Sequence, residues 1–300
     1  MIMTSLRYAV HAETEVLLMR ITTLVENERL EGREDLEAEH GLSLLIETGE
    51  HTILFDTGAS GVFADNAERL GIDLKSIDFA VISHHHFDHF GGVARFLEIN
   101  DTAPIYLREA LPAHRFFKAL LVLKREIGAD LNVLDGVPER FRAISEETEI
   151  APGITLLTKM GTNHLRPKGN KYLFVEHEGA IIEDPFDHEL TLVIEEADHL
   201  TILTGCSHNG LLNMVDSVIE RFPDTPIRSI FGGFHLVGLP FLNTMAASRE
   251  QVHEMAEYLL DLPVEHVYTG HCTGQRGYET LKEILGDHLQ PIPTGSVINI

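Results

Sequence analysis

The densest group of metal-binding residue types lies between His84 and His89, where four histidines and one aspartate occur within six positions (HHHFDH). The apolar run of residues 79–82 precedes them and predicts a buried strand that ends at the group. In an extended chain His84 and His86 point to the same side, so both imidazoles can bind one metal ion. Asp88 and His89 follow at the turn and can bind a second one. Mixed imidazole and carboxylate ligation suits zinc, iron, nickel or manganese and is typical of catalytic sites.

The composition indicates a globular protein that binds neither nucleic acid nor an anionic membrane. The 300 residues include 47 acidic and 23 basic side chains, and the resulting net charge of -24 repels both partners. No apolar run approaches membrane-spanning length, and residues 1–10 lack the apolar core of a signal peptide. We therefore expect a cytoplasmic protein that acts on a small-molecule substrate. A homo-oligomer is compatible with the sequence.

The chain is predicted to form one α/β domain over residues 1–300, because no Gly/Ser-rich or Pro-rich linker divides it. A long helix is predicted over residues 108–128 from the spacing of its aromatic and aliphatic side chains. With the loop that follows, it would form a helical insertion over about residues 108–150 near the active site. A short strand is predicted over residues 132–134.

Five predicted strands end in polar turns. The strands cover residues 52–55, 79–82, 201–204, 229–231 and 264–269, and the turns carry Asp56, His84 to His89, Cys206 with His208, His235, and His271. Rigid sheets of α/β enzymes present reactive groups at strand ends in this way, so we expect these side chains to meet.

Cys206 and Cys272 are the two cysteines of the sequence, so no disulfide framework is expected. Both lie beside histidines in glycine-flanked motifs. Each could be a thiolate close to a metal ion, or a small buried residue, which is the commonest fate of a free cysteine. The sequence favours neither interpretation.

These motifs resemble the metallo-β-lactamase fold superfamily of metal-dependent hydrolases. The resemblance rests on residues 54–58 (LFDTG), on the His84 to His89 motif with Gly91 and Gly92, and on Gly270-His271. It implies a four-layer αβ/βα sandwich, with two mixed sheets face to face and helices outside. It also implies two divalent metal ions at one edge, with zinc expected and iron, manganese or nickel as alternatives.

Within the superfamily, the chain is similar to the 7,8-dihydropterin-6-methyl-4-(β-D-ribofuranosyl)aminobenzene-5'-phosphate synthase-like proteins. The shared segments are residues 39–43 (EHGLS), 54–58, 205–210 (GCSHNG), 233–236 (GFHL) and 270–274 (GHCTG). This similarity implies a transferase that joins an aryl group to a pterin and releases pyrophosphate from a small phosphorylated substrate. Hydrolysis of an ester, lactone, thioester or phosphodiester is the alternative reaction. A catalytically inactive metal-dependent binding or sensing module is the alternative from another class.

The resemblance also assigns candidate ligands. They are His84, His86 and His208 for the first metal ion, and Asp88, His89 and His271 for the second. His188 is the alternative to His208, because the expected third histidine could come from either loop. Cys206 stands where the superfamily has a bridging aspartate, which leaves the bridging ligand open. His85 replaces a usual glycine and is expected beside the ligands or at the surface.

Further residues receive roles in substrate binding or catalysis. Asp88 could also accept a proton, and His235 is a candidate acid or anion contact, with His40 in a similar position. Asp56 either orients a ligating imidazole or forms a turn. The densest basic stretch contains Arg166, Lys168 and Lys171, which either grip a phosphate or form a solvated loop.

Overall fold

The structure, a computed structural model, describes residues 19–109, 113–119, 123–196, 198–239 and 244–300. The strands within these residues are β1 (Arg20–Val25), β2 (Ser43–Glu47), β3 (Thr52–Phe55), β4 (Phe79–Ile82), β5 (Ile105–Arg108), β6 (Arg115–Ala119), β7 (Leu123–Glu126), β8 (Phe141–Ile144), β9 (Thr148–Ala151), β10 (Ile154–Leu157), β11 (Leu173–His177), β12 (Ala180–Glu183), β13 (Thr191–Glu196), β14 (His199–Leu203), β15 (Ile227–Gly232), β16 (Val264–Thr269), β17 (Leu289–Pro291) and β18 (Val297–Asn299).

Helices connect many of these strands. The α-helices are α1 (Val62–Arg69), α2 (Phe87–Phe90), α3 (Val93–Ile99), α4 (Leu211–Arg221), α5 (Arg249–Asp261) and α6 (Gly274–Leu285). The short 3₁₀ segments include Leu74–Ser76, Leu131–Gly136, Pro138–Arg140, Lys168–Tyr172, His271–Thr273 and Gly286–His288.

Two seven-stranded sheets form the body of the molecule. The first has the order β18-β1-β2-β3-β4-β5-β8, and the second has the order β17-β16-β15-β14-β13-β10-β9. Strands β3 and β4 are parallel neighbours in the first sheet, and β14, β15 and β16 are parallel neighbours in the second. Parallel neighbours end at the same edge of a sheet, so their following turns are brought together.

The two sheets pack face to face, with helices on both outer sides. Successive side chains of a strand point to opposite faces of the sheet, so one set packs between the two sheets and the other set packs against the helices. Phe55 and Val81 of the first sheet meet Leu192 and Phe231 of the second in the central core. On the outer faces, α1 and α3 cover the first sheet, and α4, α5 and α6 cover the second. The predicted four-layer αβ/βα sandwich is therefore confirmed.

Most of the strands that the sequence predicts to end in polar turns are present in the structure, and the helix over Leu211–Arg221 is confirmed. The predicted strand over residues 16–25 is confirmed for Arg20–Val25. Residues 16–18 lie outside the described residues, as does the segment 1–10 in which no signal peptide is predicted. None of the helices in the described part of the chain has the length and apolar character needed to cross a membrane.

The helix predicted over residues 108–128 is wrong. The structure has β6 and β7 there, paired as an antiparallel hairpin, and residues 110–112 and 120–122 lie outside the described residues. The strand predicted over residues 132–134 is also wrong, since a 3₁₀ segment covers Leu131–Gly136.

The hairpin belongs to a third, four-stranded sheet with the order β12-β11-β6-β7, which we call the small sheet. Apolar side chains occur on both of its faces, for example the adjacent Phe116 and Phe117. The strict alternation that would reveal a strand is therefore lost from the sequence.

Gly91 and Gly92 permit the close approach of α2 and α3 to the turn after β3. A side-chain carbon on Gly92 would lie 2.3 Å from the backbone oxygen of Thr57 and 2.5 Å from that of Ser60. Neither oxygen belongs to a flexible side chain, so the backbone itself would have to move.

We predict that Gly92→Ala destabilises the protein by about 2 kcal/mol or more, because overpacking forces a backbone shift. Chemical denaturation of the variant and the wild type measures this difference. Gly136→Ala is the matched control, since no atom lies within 4 Å of the added carbon. Equal stability of the two variants would contradict the packing role of Gly92.

Candidate metal centre

The turns that follow β3, β4, β14, β15 and β16 converge at one edge of the sandwich. Several of their residues have left-handed backbone conformations that are unfavourable for residues other than glycine. The φ angles are 58° at Asp56, 58° at Ser207, 44° at His235 and 49° at His271. Such strain is retained where the surrounding structure enforces it, and it concentrates at functional sites.

Asp56 is fully buried at the centre of this edge, where its carboxylate accepts three hydrogen bonds. The Ser83 backbone N–H donates to Oδ1 over 2.7 Å, and the Ser83 hydroxyl donates to Oδ2 over 2.7 Å. His89 Nδ1 donates to Oδ2 over 2.6 Å. Because Nδ1 is held by Asp56, Nε2 is the nitrogen of His89 that can face a metal ion. Asp56 therefore lies where the sequence hypothesis of an orienting carboxylate requires it.

The same carboxylate also acts on His84 through Ser83. Because the Ser83 hydroxyl donates to Asp56, its oxygen can accept from His84 Nδ1, which lies 2.9 Å away. This tautomer leaves the lone pair of His84 Nε2 free. Asp56 thus orients one candidate ligand of each metal group.

His84, His86 and His208 form the first candidate ligand group. All three side chains are buried, and one ring nitrogen of each lies within 4.8 Å of those of the other two. His84 Nε2 and His86 Nδ1 are 3.1 Å apart. Burial and the neighbouring imidazoles hold the pKa of each ring well below its usual value. The rings are therefore neutral, and their lone pairs can bind a cation.

Asn170 fixes the ring of His208. Asn170 Nδ2 donates to the His208 carbonyl oxygen over 2.8 Å, which identifies Oδ1 as the acceptor 3.1 Å from His208 Nδ1. His208 Nδ1 therefore carries the proton, and Nε2 is a buried atom without a hydrogen-bond partner among the described residues. Such an atom is costly unless a ligand occupies it.

His188 differs from His208 in that both of its ring nitrogens have protein partners. The His85 backbone N–H donates to His188 Nδ1 over 3.0 Å. His188 Nε2 lies 3.4 Å from Asp184 Oδ2, which also faces Arg115 Nε at 3.3 Å. His188 lies close to His86 and Asp184, but its lone pair is already used by the backbone. The geometry thus favours His208 over His188 as the third histidine.

Asp88, His89 and His271 lie together as the second candidate group. His89 Nε2 and His271 Nε2 are 3.2 Å apart, and His271 Nε2 lies 3.4 Å from Asp88 Oδ2. Asn27 holds the ring of His271 in the way that Asn170 holds the ring of His208. The Oδ1 atom of Asn27 lies 2.9 Å from His271 Nδ1, and its Nδ2 donates to the His271 carbonyl oxygen.

His40 reaches the second group from the loop before β2. Its Nε2 lies 3.2 Å from Asp88 Oδ2, and its ring centroid is 5.0 Å from that of His271. Burial raises the pKa of Asp88, but the contacts of its carboxylate with the His271 and His40 rings more than offset this and hold it well below its usual value. Asp88 is therefore a carboxylate at neutral pH, which suits a metal ligand or a proton acceptor.

For His89, burial lowers the pKa, but the adjacent Asp56 carboxylate outweighs this and raises it to about 9. A metal ion at Nε2 would have to displace a proton, so metal binding to this ring is coupled to proton release.

Cys206 lies between the two groups. Its Sγ is 3.1 Å from His89 Nε2, and it belongs to one cluster with His84 and His89 and to another with His271 and Cys272. Both cysteines are buried, free thiols. Burial raises the pKa of the Cys206 thiol, an effect that a bound cation would oppose.

The donor set fits divalent metal ions. It combines neutral imidazoles, an ionised carboxylate and a thiol, all of which occur as ligands of zinc and related metals. In the first group, the buried Nε2 atom of His208 has no hydrogen-bond partner among the described residues, so its lone pair can bind a cation. In the second group, Asp88 and His271 converge within 4.8 Å with His40, and His89 Nε2 lies 3.2 Å from His271 Nε2.

A cavity of about 540 Å³ opens over both groups. His86, Asp88, Cys206 and His208 form part of its lining, and His235 lies beside them with its ring centroid 4.3 Å from that of His208. His235 Nδ1 has no partner among the described residues. His235 is thus placed to contact a bound molecule.

The basic stretch does not line this cavity. Arg166 instead donates to the Pro185 carbonyl oxygen over 2.9 Å and to Asn209 Oδ1 over 2.6 Å. Lys168 and Lys171 are exposed, and the Lys171 ammonium lies over the Tyr172 ring at 4.9 Å. The cavity contains a different cation, Arg125 of β7.

His85 is buried rather than at the surface, and its ring stacks on that of His188 at 5.4 Å. The surface alternative for His85 is therefore wrong. Sequence reasoning missed Asn27, Asn170 and Arg125. The two asparagines lie in loops without a motif, so their type and spacing gave no signal.

Comparisons with known proteins identify the family. The model of the metallo-beta-lactamase superfamily matches residues 36–271. The chain belongs to this superfamily. The fold implies divalent metal binding, and the imidazole and carboxylate groups of the described edge are those of a metal-dependent enzyme.

Three known proteins are similar to this chain over nearly the whole of their own length. The 7,8-dihydropterin-6-methyl-4-(beta-D-ribofuranosyl)-aminobenzene-5'-phosphate synthase of Methanocaldococcus jannaschii is 29% identical over 275 residues, which are 87% of this chain and 90% of the relative. The solved structure of Tm1679, a metal-dependent hydrolase of the beta-lactamase superfamily, is 31% identical with a TM-score of 0.78, covering 94% of this chain and 99% of that chain. The YhfI protein from Bacillus subtilis shares the fold at 12% identity and a TM-score of 0.56, covering 95% and 100% of the two chains.

We predict that His208→Ala loses one metal ion per chain and that His188→Ala keeps the full complement, because only His208 has a free lone pair. Elemental analysis of the purified variants measures the metal content, and circular dichroism shows whether each variant is folded. Retention of all metal in folded His208→Ala, with a loss in folded His188→Ala, would reverse the assignment.

We predict that Asp56→Asn weakens metal binding by about 10–100-fold, because the amide cannot accept all three hydrogen bonds that orient His89 and Ser83. Competition with a chromophoric chelator measures the affinity. The matched control is Asp65→Asn, on the exposed side of α1, which should bind metal like the wild type. An unchanged affinity in Asp56→Asn would remove the orienting role.

Proposed function

We propose that this protein is a dinuclear metal enzyme that acts on a small phosphorylated substrate, and that it joins an aryl ribose phosphate to a dihydropterin with release of pyrophosphate. The observation that carries the proposal is the convergence of two candidate ligand groups beneath one cavity. The 29% identity with the pterin synthase, over most of both chains, supports this choice of reaction.

In this proposal His84, His86 and His208 hold one metal ion, and Asp88, His89 and His271 hold the other. Zinc fits the imidazole-rich donor set, with iron, manganese and nickel as alternatives. When bound, such ions act as Lewis acids toward an anionic substrate and activate water. Asp56, Asn27 and Asn170 accept from the Nδ1 atoms of His89, His271 and His208, so the Nε2 atom of each ring is the one that would hold the metal ion.

Cys206 is proposed as a further residue that would hold the metal ions. It follows β14, where the superfamily resemblance expects a bridging aspartate, and it lies in clusters with residues of both ligand groups. A thiolate is a softer ligand than a carboxylate, so this replacement favours zinc or iron over manganese.

The remaining polar residues of the cavity would act on the substrate. His235 is placed to contact or protonate it, because this residue lines the cavity beside His208. Asp88, held ionised by His40 and His271, can accept a proton but cannot donate one. This scheme needs no side-chain nucleophile, because metal ions can activate water or substrate directly.

A second candidate function is hydrolysis of an ester, lactone, thioester or phosphodiester. The 31% identity with Tm1679, a metal-dependent hydrolase, favours this alternative. A catalytically inactive sensor is less well supported, because an intact ligand set and an open cavity are retained together. The free thiols of Cys206 and Cys272 fit the reducing cytoplasm, which we propose as the compartment.

The test supplies the metal-loaded protein with a dihydropterin pyrophosphate and an aryl ribose phosphate. We predict pyrophosphate release that requires both substrates, and a loss of at least about 100-fold in His84→Ala because Lewis acidity is removed. Enzyme-coupled detection of pyrophosphate measures the rate, and mass spectrometry identifies the joined product. Turnover of phosphodiesters or lactones without pyrophosphate release would favour the hydrolase instead.

A further inference from the structure

The small sheet forms one wall of the cavity and presents a defined row of side chains to it. Leu173 of β11 pairs with Phe117 of β6, and Phe117 pairs with Arg125 of β7. Directly paired residues share one face of a sheet, and all three of these residues line the cavity. The other face is occupied differently, with the Lys124 ammonium over the Phe116 ring at 3.7 Å and the Lys118 ammonium over the Phe174 ring at 4.6 Å.

The wall is attached directly to the metal-binding segment. The Phe87 N–H donates to the Ile127 carbonyl oxygen over 2.9 Å, and the Ala129 N–H donates to the His85 carbonyl oxygen over 3.0 Å. The residues after β7 therefore pair with the backbone of the His84 to His89 motif. This pairing holds the small sheet at a fixed position relative to the candidate metal centre.

Arg125 is the single Lys or Arg among the described residues that line the cavity. Its guanidinium lies over the Phe87 ring, with Cζ 5.2 Å from the ring centroid. Stacking of this kind leaves the N–H groups at the guanidinium edge free to bind an oxyanion. In a protein with a net charge of -24, this side chain provides a local positive site for an anionic group.

The surrounding wall is apolar and partly aromatic. Phe87, Phe117, Leu123, Ile127 and Leu173 lie around Arg125 in the cavity lining. A flat ring can pack against such side chains, whereas a sugar or a polar chain would leave its hydroxyl groups without partners.

We propose that Arg125 recognises an oxyanion on the substrate, and that the substrate carries an aromatic or heteroaromatic ring which packs between the small sheet and the metal centre. This inference rests on the proposed function, because it places the reacting end of the substrate at the metal ions. It assigns anion recognition to Arg125 in place of Arg166, Lys168 and Lys171. The oxyanion is a phosphate or a carboxylate, since a guanidinium binds both in the same bidentate way.

The experiment measures binding to the metal-loaded protein by isothermal titration calorimetry. The reference probe is benzylphosphonate, which offers one anion for the metal ions. The other probes carry a second anion at the para position, either a carboxylate or a phosphonate, attached directly or through one or two methylene groups. Methylphosphonate, which lacks the ring, reports the contribution of ring packing.

In the wild type, we expect the second anion to raise affinity by about tenfold or more for at least one tether length, as a charge-assisted contact would. The increase should disappear in Arg125→Gln and persist in Lys124→Gln, which removes the same charge from the opposite face of β7. Affinity for benzylphosphonate itself should be equal in all three proteins. Phosphate and carboxylate probes distinguish the two anion types.

Several outcomes would overturn the inference. They are an increase that survives in Arg125→Gln, an increase lost equally in Lys124→Gln, the lack of any increase in the wild type, and equal binding of methylphosphonate and benzylphosphonate. Because binding is measured without turnover, the result is independent of the reaction type. Arg125-dependent binding without pyrophosphate release would reject the synthase reaction and retain the recognition role.

Discussion

A single buried carboxylate joins the scaffold to the candidate metal centre. Asp56 accepts two hydrogen bonds from Ser83 and one from His89, and through the Ser83 hydroxyl it also fixes the tautomer of His84. A fully buried charge is costly unless it is completely hydrogen-bonded, so the surrounding turns are required to keep these donors in place. The strained φ of 58° at Asp56 is one part of that cost. We therefore expect metal binding at this edge to depend on this network.

The histidines that follow strands of the second sheet are oriented by neutral amide side chains instead of a carboxylate. Asn27 and Asn170 each contact both the ring and the carbonyl oxygen of one histidine, which fixes the ring orientation with a single side chain. Asn27 is exposed and Asn170 half-buried, so neither amide carries the desolvation cost of the buried Asp56 carboxylate. The metal centre is therefore oriented by one charged network from the first sheet and two neutral ones from loops.

The sequence predicted the framework of this edge because strand ends leave local signals. Apolar runs followed by glycine and histidine gave the positions of Asp56, His84 and His271 without any tertiary information. The choice between His188 and His208 could not be made in this way, since it depends on partners more than 35 residues away, such as Asn170. The hairpin of the small sheet was mistaken for a helix because Phe116 and Phe117 pack on opposite faces, which erases the alternation of a half-buried strand. Arg125 was missed for the same reason.

The small sheet pairs its strands only with one another, within the described residues, whereas the candidate metal ligands follow strands of the two large sheets. The proposed recognition wall and the candidate metal ligands therefore belong to different sheets, which are joined by the backbone pairing of His86 with Gly128 and by side-chain contacts such as that of Asn170 with His208. The cavity-facing side chains of the hairpin, Phe117 and Arg125, are not themselves candidate ligands, so they can differ while the ligand set is kept. With this division, substrate choice can vary while the metal-binding residues stay the same, so the hairpin is the segment in which we expect relatives with the same metal chemistry to differ.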